Sequence, residues 1–147
     1  MDILTEKKIV DFAMLGLKVI GCNDEVAIDF NSIMGSCART SCSTDKKLKL
    51  EFNIKVILKS INQWPWQEIV AHELVHVKQF LNDTIKADDK TIFWKNEDYS
   101  DDARYAQRML RLGFPNFYRE LPWEKEAFEN MNVLAKEIQE MTIWSIN

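Results

Sequence analysis

Residues 65–81 read Pro65-Trp66-Gln67-Glu68-Ile69-Val70-Ala71-His72-Glu73-Leu74-Val75-His76-Val77-Lys78-Gln79-Phe80-Leu81. Asn62 can cap a helix that opens near Pro65 and runs to about Leu81. Ile69, Val70, Ala71, Leu74, Val75 and Val77 leave this helix apolar nearly all round, so it is expected to be buried. Within it, His72 and His76 stand four apart, one helical turn, on a single face. Two imidazoles at that spacing can aim a nitrogen at one zinc ion. Glu73 is near enough to take a proton from a water in the same cleft. The chain has two histidines and both are here. Random placement yields this pattern about once in nine hundred chains of such composition. The alternative is a chance triplet on an exposed helix with Glu73 and Lys78 as solvated charges. The apolar neighbours weigh against it, because burying two histidines and a glutamate without a role costs several kcal/mol.

A catalytic zinc ordinarily has three protein ligands and an open position. With no third histidine, a carboxylate or another donor must serve. The metzincins place Gly and then His three and six residues past the second histidine. Those positions here are Gln79 and Asn82, which removes that class. A later segment, residues 121–128 (LPWEKEAF), offers Glu124 and Glu126. Glu124 falls among Ala127, Phe128, Met131, Leu134, Ala135 and Ile138, at the centre of an apolar helical face. Glu126 falls beside Val133 and Glu137 on the polar side. A carboxylate amid a buried stripe needs a partner, and a metal is one. The competing reading makes Glu124 a first-turn acid favoured by the helix dipole.

The rest of the chain sets the frame. Its 147 residues make one domain, residues 1–147. The net charge of −4 lacks the basic footprint of a general nucleic-acid binder. No stretch approaches the apolar length of a membrane span. Cys22, Cys37 and Cys42 are an odd set, fitting a reducing compartment, and no second pair exists to complete a structural zinc site with Cys37 and Cys42. Residues 2–20 read as an amphipathic helix closed by Gly21, with Lys7, Asp11 and Lys18 opposite Ile9, Phe12, Ala13, Gly16 and Ile20, rather than a signal sequence. Alternation marks strands at 25–30 and 48–54; residues 31–47 read as a long turn or hairpin connection, and 55–61 as a short helical or irregular stretch. Thr91–Lys95 reads as a short strand that can pair with Thr84–Lys86. Ser100 starts a helix ending at Gly113, and Pro122 opens another to about Trp144. The class is α+β: a small mixed sheet packed against an N-terminal helix, the histidine helix and a C-terminal helix.

His72-Glu73-Leu74-Val75-His76 followed by Glu124-Lys125-Glu126-Ala127 resembles the gluzincin-like zincin metallopeptidases, whose ligand helix carries E-x-x-A. Residues 70–80 (VAHELVHVKQF) with 122–127 (PWEKEA) are similar to small phage-encoded and SprT-like metallopeptidases. The resemblance implies a zincin fold in which a sheet edge lines the cleft and binds extended peptide; Thr91–Lys95 is the candidate edge. It implies Zn2+ held by His72, His76 and Glu124, Glu73 as general base, a peptide or protein substrate, and a place in the cytoplasm (a host's, or a virion, if phage-encoded). DNA-repair members of the SprT-like group carry a cysteine zinc module and basic regions, and neither is found here.

Tyr99, Tyr105, Tyr118 and Arg119 are candidate donors to a developing oxyanion. Arg104, Arg108 and Arg111 form a basic stripe, read as a solvated face balancing nearby acids. Of the five tryptophans, Trp64, Trp66, Trp94, Trp123 and Trp144, most belong to core packing, and Trp123 adjoins the candidate ligand. The rival to an enzyme is a non-catalytic structural or interaction protein, virion-associated for example, that uses zinc to lock two helices together. A third is a helical binder without metal.

Overall fold

The N-terminal helix, α1 (Glu6–Val19), starts where Thr5 Oγ1 accepts the Lys8 N–H. It stops in a Schellman turn at Gly21, whose φ of 78° suits glycine, with Cys22 N–H donating to the Leu17 carbonyl. The computed structural model describes residues 3–60, 63–88 and 90–146, with side chains to residue 141. The expected start of α1 at Asp2, the Asn62 cap and the Trp144 side chain lie outside them. Ile9, Phe12, Ala13, Gly16 and Leu17 are buried, so the stripe is as read except that Leu17 takes the place of the half-buried Ile20.

The remaining elements are β1 (Val26–Phe30), β2 (Ala38–Cys42), β3 (Leu48–Phe52), α2 (Ile54–Lys59), α3 (Trp66–Leu81), β4 (Ile85–Ala87), β5 (Ile92–Trp94), β6 (Glu97–Asp98), α4 (Ser100–Arg111), α5 (Asn116–Arg119) and α6 (Pro122–Ile146). The class is α+β. One mixed sheet has the order β1-β3-β2, with β1 parallel and β2 antiparallel to the central β3. A second, antiparallel sheet has the order β4-β5-β6. None of the described helices is long and apolar enough to cross a membrane.

Two expectations are corrected here. Residues 31–47 are not all turn, because β2 lies within them. Its residues, Ala-Arg-Thr-Ser-Cys, are mostly small and polar and carry no apolar alternation. Pairing with β3 makes it a strand, Thr40 opposite Leu50. The cleft edge is also not Thr91–Lys95: β5 is the middle strand of the second sheet, bonded on both sides, whereas β2 is an edge strand.

Leu48, Leu50 and Phe52 of β3 join Ile9, Phe12, Val70, Leu74, Val77, Ala135 and Ile138 in one core, so the mixed sheet and α1, α3 and α6 share a single apolar interior. The helices cross closely. A Cβ on Gly16 would come within 2.3 Å of Leu74 Cδ1 and 2.9 Å of Ile138 Cδ1, so only a glycine lets α1 approach both neighbours unshifted. A smaller cluster of Ile85, Trp94, Ala106, Leu121 and Trp123 ties the second sheet to α4 and the start of α6.

Strand β2 is held by more than backbone. Arg39 donates to Glu51 Oε1 from Nε at 3.1 Å and Nη2 at 2.8 Å, and Asn31 donates to the other oxygen. Glu51 is buried, and the Arg39 guanidinium beside it holds its carboxyl below the usual range. Such a pair stabilises above the unfolded carboxyl pKa, and its contribution disappears as pH falls through the lower folded value. Replacing Arg39 by methionine should cost about 1 kcal/mol at neutral pH. That penalty should shrink on acidification below about 4.5, as the carboxyl protonates. Urea unfolding at pH 7 and pH 3 measures both; an equal penalty at the two values contradicts the pairing.

Candidate metal centre

Helix α3 runs buried through the core, and α6 packs along it. Ala127, fully buried, gives α6 a small surface there. The first turn of α6 therefore sets Glu124 against the middle of α3. Its two oxygens take one imidazole each: His72 Nε2–H donates to Oε1 at 3.0 Å, and His76 Nε2 lies 3.2 Å from Oε2. All three residues are buried or nearly so. The imidazole rings stand edge to face at 5.0 Å, and the Phe128 ring covers His72 at 4.6 Å.

His72, Glu73 and His76 offer ligand atoms that all lie within 4.8 Å of one another, a group that could hold a metal ion. Glu124, in contact with both imidazoles, is not among the members of that group. In a tetrahedral site with bonds of about 2.0–2.1 Å, neighbouring ligand atoms stand about 3.3 Å apart. The two imidazole–carboxylate separations, each to a different oxygen of Glu124, fall about 0.1–0.3 Å short of that edge. Nitrogen and carboxylate donors suit a divalent ion of borderline softness.

The far side of His76 is fixed as well. Its Nδ1–H donates to Gln79 Oε1 at 2.8 Å, which leaves Nε2 turned to the centre. Gln79 is fully buried, and its amide donates to the Trp123 carbonyl at 3.0 Å and Glu126 Oε1 at 3.1 Å. Glu126, the other carboxylate weighed as a ligand, thus serves Gln79 behind the imidazole. Burial on its own would lower the His76 pKa. The hydrogen bond and charge of Glu124, with the charge of Glu73 and the Gln79 contact, outweigh it and raise the value to about 9. Burial likewise pushes Glu124 up, but the hydrogen bonds and charges of His72 and His76 bring it down to about 2. A metal bound here would have to displace protons from the imidazole nitrogens, since only the unprotonated nitrogen is a ligand. Gln79→Leu removes the support of His76 and should weaken metal affinity by about 10- to 100-fold. Competition with a chromophoric chelator reads this directly, and an unchanged affinity would exclude the supporting role.

Beside the centre opens a cavity of about 500 Å3, whose walls include Ala38, Arg39 and Thr40 of β2, along with His72, Glu73, His76 and Tyr118. The Thr40 hydroxyl donates to Glu73 Oε1 at 2.8 Å and lies 3.1 Å from the Glu73 carbonyl oxygen. Sequence reading missed Thr40, since nothing marks one threonine in a polar stretch. It also passed over Gln79 as a support, although its position three residues past His76 puts it on that histidine's side of the helix.

Of the four candidate donors, Tyr118 is at the centre. Burial raises its phenol pKa, followed by the charges of Glu124 and Glu73 and a hydrogen bond with Glu124, so it stays a proton donor. Tyr105 instead packs on Phe117, Tyr99 on Trp123, and the Arg119 guanidinium lies over the Phe128 ring. Trp123 is buried against Trp94 and Tyr99 and also borders a smaller cavity shared with His76 and Glu124.

Comparison with protein-family models, curated proteins and solved structures finds no match to this chain.

Proposed function

We propose that the protein is a zinc metallopeptidase of zincin-like, gluzincin type, with His72, His76 and Glu124 as zinc ligands and Glu73 as general base. The observation that carries this is the convergence of both imidazole Nε2 atoms on the two oxygens of Glu124, from separate helices, at the wall of an open cavity. Zinc bound there supplies Lewis acidity, which brings a water to ionise near neutral pH and polarises a carbonyl.

The chain's own groups do the rest. Glu73, oriented by Thr40, takes the proton of the attacking water and hands it to the departing amine nitrogen. Tyr118, kept protonated, donates to the carbonyl oxygen as negative charge develops on it. Edge strand β2 offers main-chain groups to an extended peptide lying along the cavity. Access from that cavity favours catalysis over a zinc used only to lock two helices, for which a closed site is sufficient. Free thiols at Cys22, Cys37 and Cys42 support work in a reducing compartment such as the cytoplasm.

Metal analysis of protein purified without added zinc, together with hydrolysis of an unfolded protein substrate, tests the proposal. One zinc per chain with cleavage abolished by a chelator and restored by zinc is expected. Zinc without cleavage would favour the structural rival, and absence of any bound metal would end the reading.

A further inference from the structure

The basic stripe of α4 does not face open solvent alone. Arg104, Arg108 and Arg111 line a groove of about 460 Å3 together with Asp88, Lys90, Thr91 and Ile92. Resting on the peptidase reading above, we propose that this groove receives an acidic stretch of the polypeptide substrate, its carboxylates held by Arg104, Arg108 and Arg111.

Continuity supports this. Tyr118 lines both the groove and the cavity at the metal centre, and Gln107 does too. The two spaces therefore adjoin at Tyr118 and Gln107, which places the groove next to the cavity that Glu73 lines. Charge supports it as well. The protein carries a net −4, yet among the described residues Lys90, Arg104, Arg108 and Arg111 line this groove against Asp88. Asp88, the one carboxylate among the described residues that line it, is already engaged: Oδ1 accepts the Lys90 and Thr91 N–H groups, each at 2.9 Å. Arg104 pairs with Asp101 and donates to the Lys90 carbonyl at 3.3 Å. Arg108 and Arg111 have no carboxylate partner among the described residues.

Spacing points to peptide. Seven residues of helix rise about 10.5 Å from Arg104 to Arg111, the span of about three residues of extended chain. The lining includes Ile92, Leu121 and Trp123, apolar contacts suited to side chains rather than to a sugar–phosphate backbone.

The test uses the zinc-loaded full chain carrying Glu73→Gln, so that binding is read without cleavage. Fluorescence anisotropy at low ionic strength compares a short labelled peptide bearing a run of glutamates, its glutamine counterpart and a short oligothymidylate. The glutamate peptide is expected to bind about five- to tenfold tighter than the glutamine one. Adding Arg108→Gln and Arg111→Gln should reduce that preference to about twofold or less, while Arg108→Lys with Arg111→Lys should keep most of it. No preference, a preference that survives the glutamine substitutions, or tighter binding of oligothymidylate overturns the proposal. Hydrolysis by the wild type separates the two ideas. If it binds the glutamate peptide selectively but cleaves no peptide, the peptidase reading fails and the acidic-peptide groove stands. If it cleaves both peptides without preference, the groove fails and the peptidase stands.

Discussion

Glu73→Gln is expected to lower peptide hydrolysis by about 10²- to 10⁴-fold while the protein still binds one zinc per chain. The amide has nearly the shape of the carboxylate and can still accept from Thr40, so the 2.8 Å contact with β2 has a substitute. The zinc ligands proposed above are untouched. The variant loses basicity: an amide cannot take a proton from water and pass it to the leaving nitrogen. Single-turnover rates on an unfolded protein, measured beside zinc stoichiometry, separate this from a loss of metal. A Glu73→Gln enzyme with wild-type turnover would remove Glu73 from the chemistry. One that had lost its zinc would instead make Glu73 a ligand.

Glu124→Ala is expected to have the other large effect, on metal and on stability together. Its carboxylate is within hydrogen-bonding distance of both imidazoles in a buried setting. Breaking a buried ion pair from one side typically costs about 3–5 kcal/mol, because the remaining charge is left unpaired. Here His76 can shed its proton, so the cost should fall toward the lower end. With the carboxylate gone, burial of His76 is less opposed, and its pKa should drop from about 9. A titration of the imidazole resonances follows this. Zinc affinity should fall by more than the roughly 10- to 100-fold expected for an outer partner such as Gln79. Near-wild-type zinc binding by Glu124→Ala would show that the third ligand lies elsewhere, and Glu73 would then be the next donor to test.

Much of this centre is legible in the linear chain because helices impose their period on sequence. His72 and His76 share a face by spacing alone, and Glu124 is marked by lying in an apolar stripe with Ala127, Met131, Ala135 and Ile138, all four of which are buried. The helix start at Pro122 and the C-terminal turn at Gly21 follow from the fixed φ of proline and the positive φ that glycine tolerates. The strands β1 and β3 show because one face of each alternates.

What the chain does not disclose locally is what partners decide. The sequence determined that two imidazoles and one carboxylate would sit on buried helical faces, since burial and helical period are written in side-chain order. It did not determine that Ala38–Cys42 is a strand, because an edge strand of small polar residues takes its conformation from β3, to which it is bonded. Nor did it tell which groups would meet. Thr40 reaches Glu73 across 33 residues, Gln79 reaches Trp123 across 44, and His72 reaches Glu124 across 52. Such long-range contacts exist only once α3, α6 and the mixed sheet close on a common core, so tertiary packing chose the companions of residues that spacing had already singled out.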